Sequence, residues 1–211
     1  MGTTVHGFVE CRTWGPGLGV EETAWYSAIE LSMLGMTRDY EAFACLFGVR
    51  DLGRHWRPVA ADRGLPPDAS ENTRAEHARW GDSAFAASWL DWTEVLAIDW
   101  DEPAIPPATR IARYRRLPDG DLEPVRRSDW SRAFGRASGV NTLTADPDRV
   151  GELWAEGTEW DTGTWVFRAE RDRRCDAVPA TGSWQPVWSV MRALAEVHGE
   201  RNVRLVVWFE E

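Results

Sequence analysis

QPVWSVMRALAEVHGERNVRLVVWF, residues 185–209, carries two patterns in succession, and their order decides the fold class. Pro186 suits a first helical turn, Val187, Val190, Met191 and Leu194 then keep helical spacing, and Gly199 stops the run. Four residues later VRLVVWF begins, apolar at successive positions from Leu205. A strand that is apolar on both faces is expected inside a sheet and covered on both sides. A helix feeding such a strand implies helices packed on a sheet.

The rest of the chain fits around this unit. Val5, Gly7, Val9 and Cys11 alternate with His6, Phe8, Glu10 and Arg12, as in a strand, and Ala24 to Leu31 reads as its return. GPGLG between them (15–19) does not open a helix as a dinucleotide fingerprint must, so a wide turn is expected. Thr37 or Asp39 can cap a helix that carries Tyr40, Phe43 and Phe47 on one stripe and ends at Gly48. Asp68 with Glu71, and Asp91 with Glu94, have capping-box spacing for a polar and a short apolar helix. PDGD sits between Arg110–Leu117 and Leu122–Arg127 as a hairpin turn. Asp146 and Pro147 start a short helix, and Thr164 to Ala169 reads as a strand. Without regular βαβ alternation, the expected class is α+β: one domain over residues 1–211, a mainly antiparallel sheet with helices packed against it.

Composition narrows the function classes. The chain has 34 acidic and 24 basic residues, a net charge of −10, which opposes non-specific attraction to nucleic acid or anionic membrane. No apolar run approaches the roughly 20 residues of a membrane span. The expected partners are therefore an anionic small molecule or a protein, with no nucleic acid and no membrane. Every basic residue is arginine, which removes Schiff-base lysine chemistry and leaves planar forks as the only cationic binders. Cys11, Cys45 and Cys175 are widely spaced, with no C-x-x-C pair. That argues against a disulfide framework or zinc site and for a reducing cytoplasm, and the first residues lack a secretory pattern. No metal and no cofactor is indicated. The fourteen tryptophans are expected mostly in the core, with a few available to line a pocket for a planar or cationic ligand.

The chemistry-bearing stretch is GVRDLGRHWRPVAADRGLP (48–66). Arg50, Arg57 and Arg63, with His55 and Trp56, could hold a phosphate or carboxylate by bidentate hydrogen bonds while a ring stacks on the ligand. Equally, Asp51 and Asp62 could pair with these arginines and leave the stretch structural. Asp99, Asp101 and Glu102 could serve a hard cation, or only a turn before Pro103. His6, His77 and His198 have no metal spacing, and no nucleophile motif occurs.

FGVRDLGRHWRPVAADRGLP (47–66), DSAFAASWLDWTEVLAIDWDE (82–102) and ERNVRLVVWFEE (200–211) together resemble a group of uncharacterised proteins from bacteria and their phages. That group carries G-V-R, R-G-L-P, H-S-x-S-W-L and N-V-R-L-V-V-W-F blocks. The matching positions are Arg50, Arg63, Gly64, Pro66, Ser88 and Trp89. Phe85 and Ala86 stand where the group has histidine and serine, so the resemblance implies a structural or binding role better than chemistry at that histidine. It brings no established activity. The resulting expectation is a non-enzymatic binding or accessory protein, possible in a phage or conflict setting. It would recognise an anionic or nucleotide-like ligand, or a partner protein, through Arg50, His55, Trp56, Arg57, Arg63 and Trp89. The alternative is a hydrolase or transferase acting on a phosphorylated substrate, with Asp99 or Asp101 as base or metal ligand.

Overall fold

The computed structural model describes residues 2–12, 24–51, 56–105 and 109–211. The GPGLG turn and His55 lie outside the described residues. In chain order the elements are β1 (Thr4–Arg12), β2 (Trp25–Glu30), α1 (Tyr40–Phe47), α2 (Glu71–Trp80), β3 (Phe85–Asp91) and α3 (Trp92–Leu96). There follow β4 (Thr109–Arg116), β5 (Leu122–Arg126), α4 (Arg132–Ser138), α5 (Val150–Leu153), β6 (Glu159–Asp161) and β7 (Trp165–Arg171). The chain closes with α6 (Arg174–Ala177), α7 (Gln185–His198) and β8 (Val203–Glu210). The α+β class is as expected, but its strands are divided between two four-stranded antiparallel sheets, ordered β2-β1-β8-β3 and β5-β4-β7-β6. Each sheet belongs to its own compact unit: residues 1–100 with 174–211, and residues 101–173.

In the first unit β8 is an inner strand, flanked by β1 and β3 and buried from Val203 to Phe209. Its odd-numbered side chains join Val5 and Val9 against Phe43 and Phe47 of α1 and Val187 and Met191 of α7. Full burial of each such side chain stabilises by roughly 1.5–3 kcal/mol. The opposite face lies under α2, where the Thr73 hydroxyl reaches Glu10 and His77 meets Trp208 edge-on. Asp39 caps α1 and Gly48 ends it in the left-handed region, as the sequence implies.

Two readings need correction. Ser70, not Asp68, caps α2, accepting from the Thr73 N–H at 3.2 Å. Asp68 is instead engaged by Arg204 and by the Trp25 indole. β3 is a strand that alternation did not reveal. Its register breaks between Phe85 and Ser88, and Ala86 takes φ 47°, so the side chains do not follow period two there.

In the second unit the expected hairpin is present, with Arg116 opposite Leu122 and the Leu117 N–H donating to Asp121 O at 2.8 Å. Gly120 supplies the positive φ that the tight turn needs. Phe134, Phe167 and Ile111 form its core, with Trp130, Trp154 and Trp160 packed around them. The two ends of this unit are adjacent. Ala104 N–H donates to Asp172 O at 2.9 Å, and Pro103 bridges to Arg173.

Candidate functional site

The arginines nominated from sequence are placed by long-range contacts. Arg50, at φ 64°, donates from Nε to Thr3 Oγ1 at 2.6 Å and pairs with Glu211 at 2.5 Å. Arg63 makes a two-pronged pair with Glu94, both bonds 2.9 Å, and also donates to the Trp89 and Val59 carbonyls. Its guanidinium lies 5.1 Å from the Trp89 ring centre, so these two nominated residues do come together. Burial pushes the Glu94 carboxyl up, and the hydrogen bonds from Arg63 and from the Asp91 N–H outweigh it, leaving Glu94 below its usual range.

Arg57 is exposed, and its backbone carbonyl accepts from the buried Arg174 at 2.7 Å. The Trp56 ring packs on the core, and the Trp56 backbone N–H donates to the Asp51 carboxylate. Trp89 pairs with Val206 on β8, whereas Glu211 lies five residues further along, about 16 Å of extended chain. Arg50 and Arg63 are therefore held by different partners, Glu211 just beyond the end of β8 and Glu94 near a strand that pairs with its middle.

A pocket with the chemistry sought in that stretch lies elsewhere in the first unit, between α3 and α7. On α7, Val187, Met191 and Ala195 face the core, while Gln185, Trp188, Ser189 and Arg192 form the next stripe at i, i+3, i+4 and i+7. Trp92, Val95 and Leu96 of α3 face that stripe, and Trp100 and Cys175 complete the wall. The cavity encloses about 510 Å³. Cys175 N–H donates to the Trp100 carbonyl at 2.8 Å, tying the two sides of the wall together.

The Trp188 wall is firmly backed. Trp188 stacks on the buried Trp184 at 5.4 Å, Trp184 meets Phe47 at 6.0 Å, and Phe47 meets Phe209 of β8 at 5.8 Å. This ring column fixes an indole at the cavity by packing it back to the central strand. Gln185 Nε2 donates to Ser189 Oγ at 2.8 Å. Arg192 is exposed and forms no hydrogen bond or ion pair with another described residue. Among the described residues the arrangement offers apolar indole surface within and one uncommitted planar cation, Arg192, on the lining. Its signal in the sequence is the second stripe of α7, Gln185, Trp188, Ser189 and Arg192, beside the stronger apolar one.

A second, more open cleft of about 800 Å³ lies between β2 and the start of α2. Beside it the Glu10 carboxylate is fully buried. It accepts from the Ser70 N–H at 2.9 Å, the Thr73 hydroxyl at 2.6 Å and Arg204 Nε at 2.8 Å. Arg204 also donates to Asp68 at 2.7 Å and lies 3.8 Å from the centre of the Trp25 ring. The Trp25 indole N–H donates to Asp68 as well. Every strong group in this network has an internal partner, which marks it as structural.

Among the described residues no group of three His, Cys, Asp or Glu side chains could hold a metal. Asp99 lies in one unit, just before Trp100 closes its first stretch, and Asp101 opens the other, where its carbonyl accepts from Arg173 at 2.9 Å. No helix among the described residues is long and apolar enough to cross a membrane. Comparison with family models, with curated proteins and with solved structures finds no match to this chain.

Proposed function

We propose that this is a binding protein for a small planar ligand, held in the cavity between α3 and α7. The observation that carries the reading is the convergence of Trp92, Trp100 and Trp188 with Arg192 on a hollow of about 510 Å³. That size falls within the range of small-molecule sites, which are mainly apolar with a few placed polar groups. The alternative hydrolase or transferase reading draws less support, because Arg50 and Arg63, which would grip its phosphate, are engaged by Glu211 and Glu94. A cytoplasmic setting without nucleic acid is part of the proposal. It is supported by three cysteines in no disulfide and by the net charge of −10.

Cys175 offers a direct test, since it lines the cavity and is the exposed one of the three cysteines. A fragment library is titrated into the full chain by calorimetry, and hits are checked for protection of Cys175 against iodoacetamide. Hits should slow alkylation and lose about tenfold or more in affinity in Trp188→Ala, in keeping with aromatic anchors at binding sites. Hits indifferent to both probes would place binding outside this cavity.

A further inference from the structure

We infer that the ligand is an aromatic monoanion, a planar ring system bearing a single carboxylate, and not a nucleoside polyphosphate. This inference rests on the cavity reading above and names the chemical class that the cavity would take. The first support is the charge inventory. Of the described residues lining the cavity, Arg192 alone is charged, and among them no carboxylate or histidine joins it. One guanidinium fork matches one carboxylate, with two parallel N–H···O bonds. A second or third negative charge would enter a largely apolar hollow with no cation to meet it, and unpaired charge is costly to remove from water.

The second support is the field around the cavity. The unit that contains it has 12 arginines against 20 aspartates and glutamates, a net of −8. Asp176 adjoins Cys175 in sequence, and Glu196 lies one helical turn beyond Arg192 on α7. Such surroundings disfavour a polyanion more steeply than a monoanion, because repulsion grows with each added charge.

The third support is the order of groups along α7. Trp188 is partly buried and backed by Trp184, while Arg192 is exposed one turn further on. A ring against Trp188 therefore brings a carboxylate toward Arg192 at the solvent end. The Gln185–Ser189 hydrogen bond leaves the Gln185 carbonyl and the Ser189 hydroxyl proton for polar edges of the ring system.

Three probes separate the possibilities: 2-naphthoate, its neutral analogue 2-naphthamide, and ATP. Each is titrated by calorimetry into the full chain and into Arg192→Gln and Trp188→Ala. Naphthoate is expected to bind about tenfold tighter than naphthamide, as for one charge-assisted contact at a partly exposed site. Arg192→Gln should remove that difference without weakening naphthamide, and ATP should not displace naphthoate. If naphthamide binds as tightly as naphthoate, or ATP binds more tightly and depends on Arg192, the monoanion assignment is overturned while the cavity reading stands. If the naphthyl probes bind but ignore Trp188→Ala, or none of the probes binds, the cavity reading itself fails and the assignment with it.

Discussion

Arg204 and Glu10 meet inside the first sheet, Nε donating to Oε2 at 2.8 Å, with side chains 4% and 0% exposed. The pair bridges neighbouring strands in register, β1 and β8. Asp68 and the Trp25 ring enclose the rest of the guanidinium. Removing one member strands the other in a low-dielectric interior. Arg204→Met should therefore lower stability by about 3 kcal/mol or more, measured as a shift in urea midpoint. Glu10→Leu combined with Arg204→Met should cost less than the sum of the two single changes. Additive losses would show that the pair is not coupled.

Gly7 tolerates no side chain. It sits at φ 141° opposite Val207, and a Cβ there would lie 2.0 Å from the Val206 carbonyl oxygen. Because backbone, not a movable side chain, blocks the space, Gly7→Ala should cost roughly 3 kcal/mol or more or abolish folding. Thermal unfolding of the variant checks this, and a wild-type midpoint would contradict the described register.

Acid should weaken the fold through His6 and His77. Burial holds both imidazoles below their ordinary 6.5, against the opposing pull on His6 of Glu210, Glu30 and Glu76. A folded-state value below the unfolded one means that the native state takes up the proton less readily. The associated stability is fully present above about pH 6.5 and is lost as pH falls through the folded values. Chemical denaturation at pH 7.5 and 5.5 should show the loss, and His77→Gln should make it shallower.

Arg63 is assigned to structure. Arg63→Gln should cost up to about 1 kcal/mol, the size of a good pair that keeps solvent access. Glu94 is held below its usual range, so the pair's contribution is present above the unfolded glutamate value and fades as pH falls through the lower folded one. Ligand affinity at the α3–α7 cavity should be unchanged. A loss of binding without a loss of stability would make Arg63 a ligand-contacting residue.

Tyr114 should titrate late. Burial, reinforced by its hydrogen bond to Glu170, raises the phenol to about 12. The chain has only two other tyrosines, Tyr26 and Tyr40, so ultraviolet titration can resolve it. Glu170→Gln should bring the late phase earlier.

Most local structure is legible in this sequence because it is decided within a turn or a strand, although Ser70 takes the cap that the Asp68–Glu71 spacing implied. Asp39 and Gly48 bracket α1, Asp91 and Glu94 form their reciprocal cap, and Leu205 to Phe209 announce an inner strand. β3 escaped because its bulge breaks the period on which alternation depends. The division of strands between two sheets escaped because pairing partners are chosen over long distances in the chain.

The sequence alone established the α+β class, the helix-then-strand unit at the end of the chain, and a cationic repertoire restricted to guanidinium. Tertiary structure decided which guanidiniums are already occupied. Glu94 is 31 residues from Arg63, Glu211 lies at the far end of the chain from Arg50, and Asp68 is 136 residues from Arg204. A fork and a carboxylate attract by distance in space, which sequence spacing does not encode. Arg192, on the second stripe of α7, was therefore left lining the indole-walled cavity once the chain had folded.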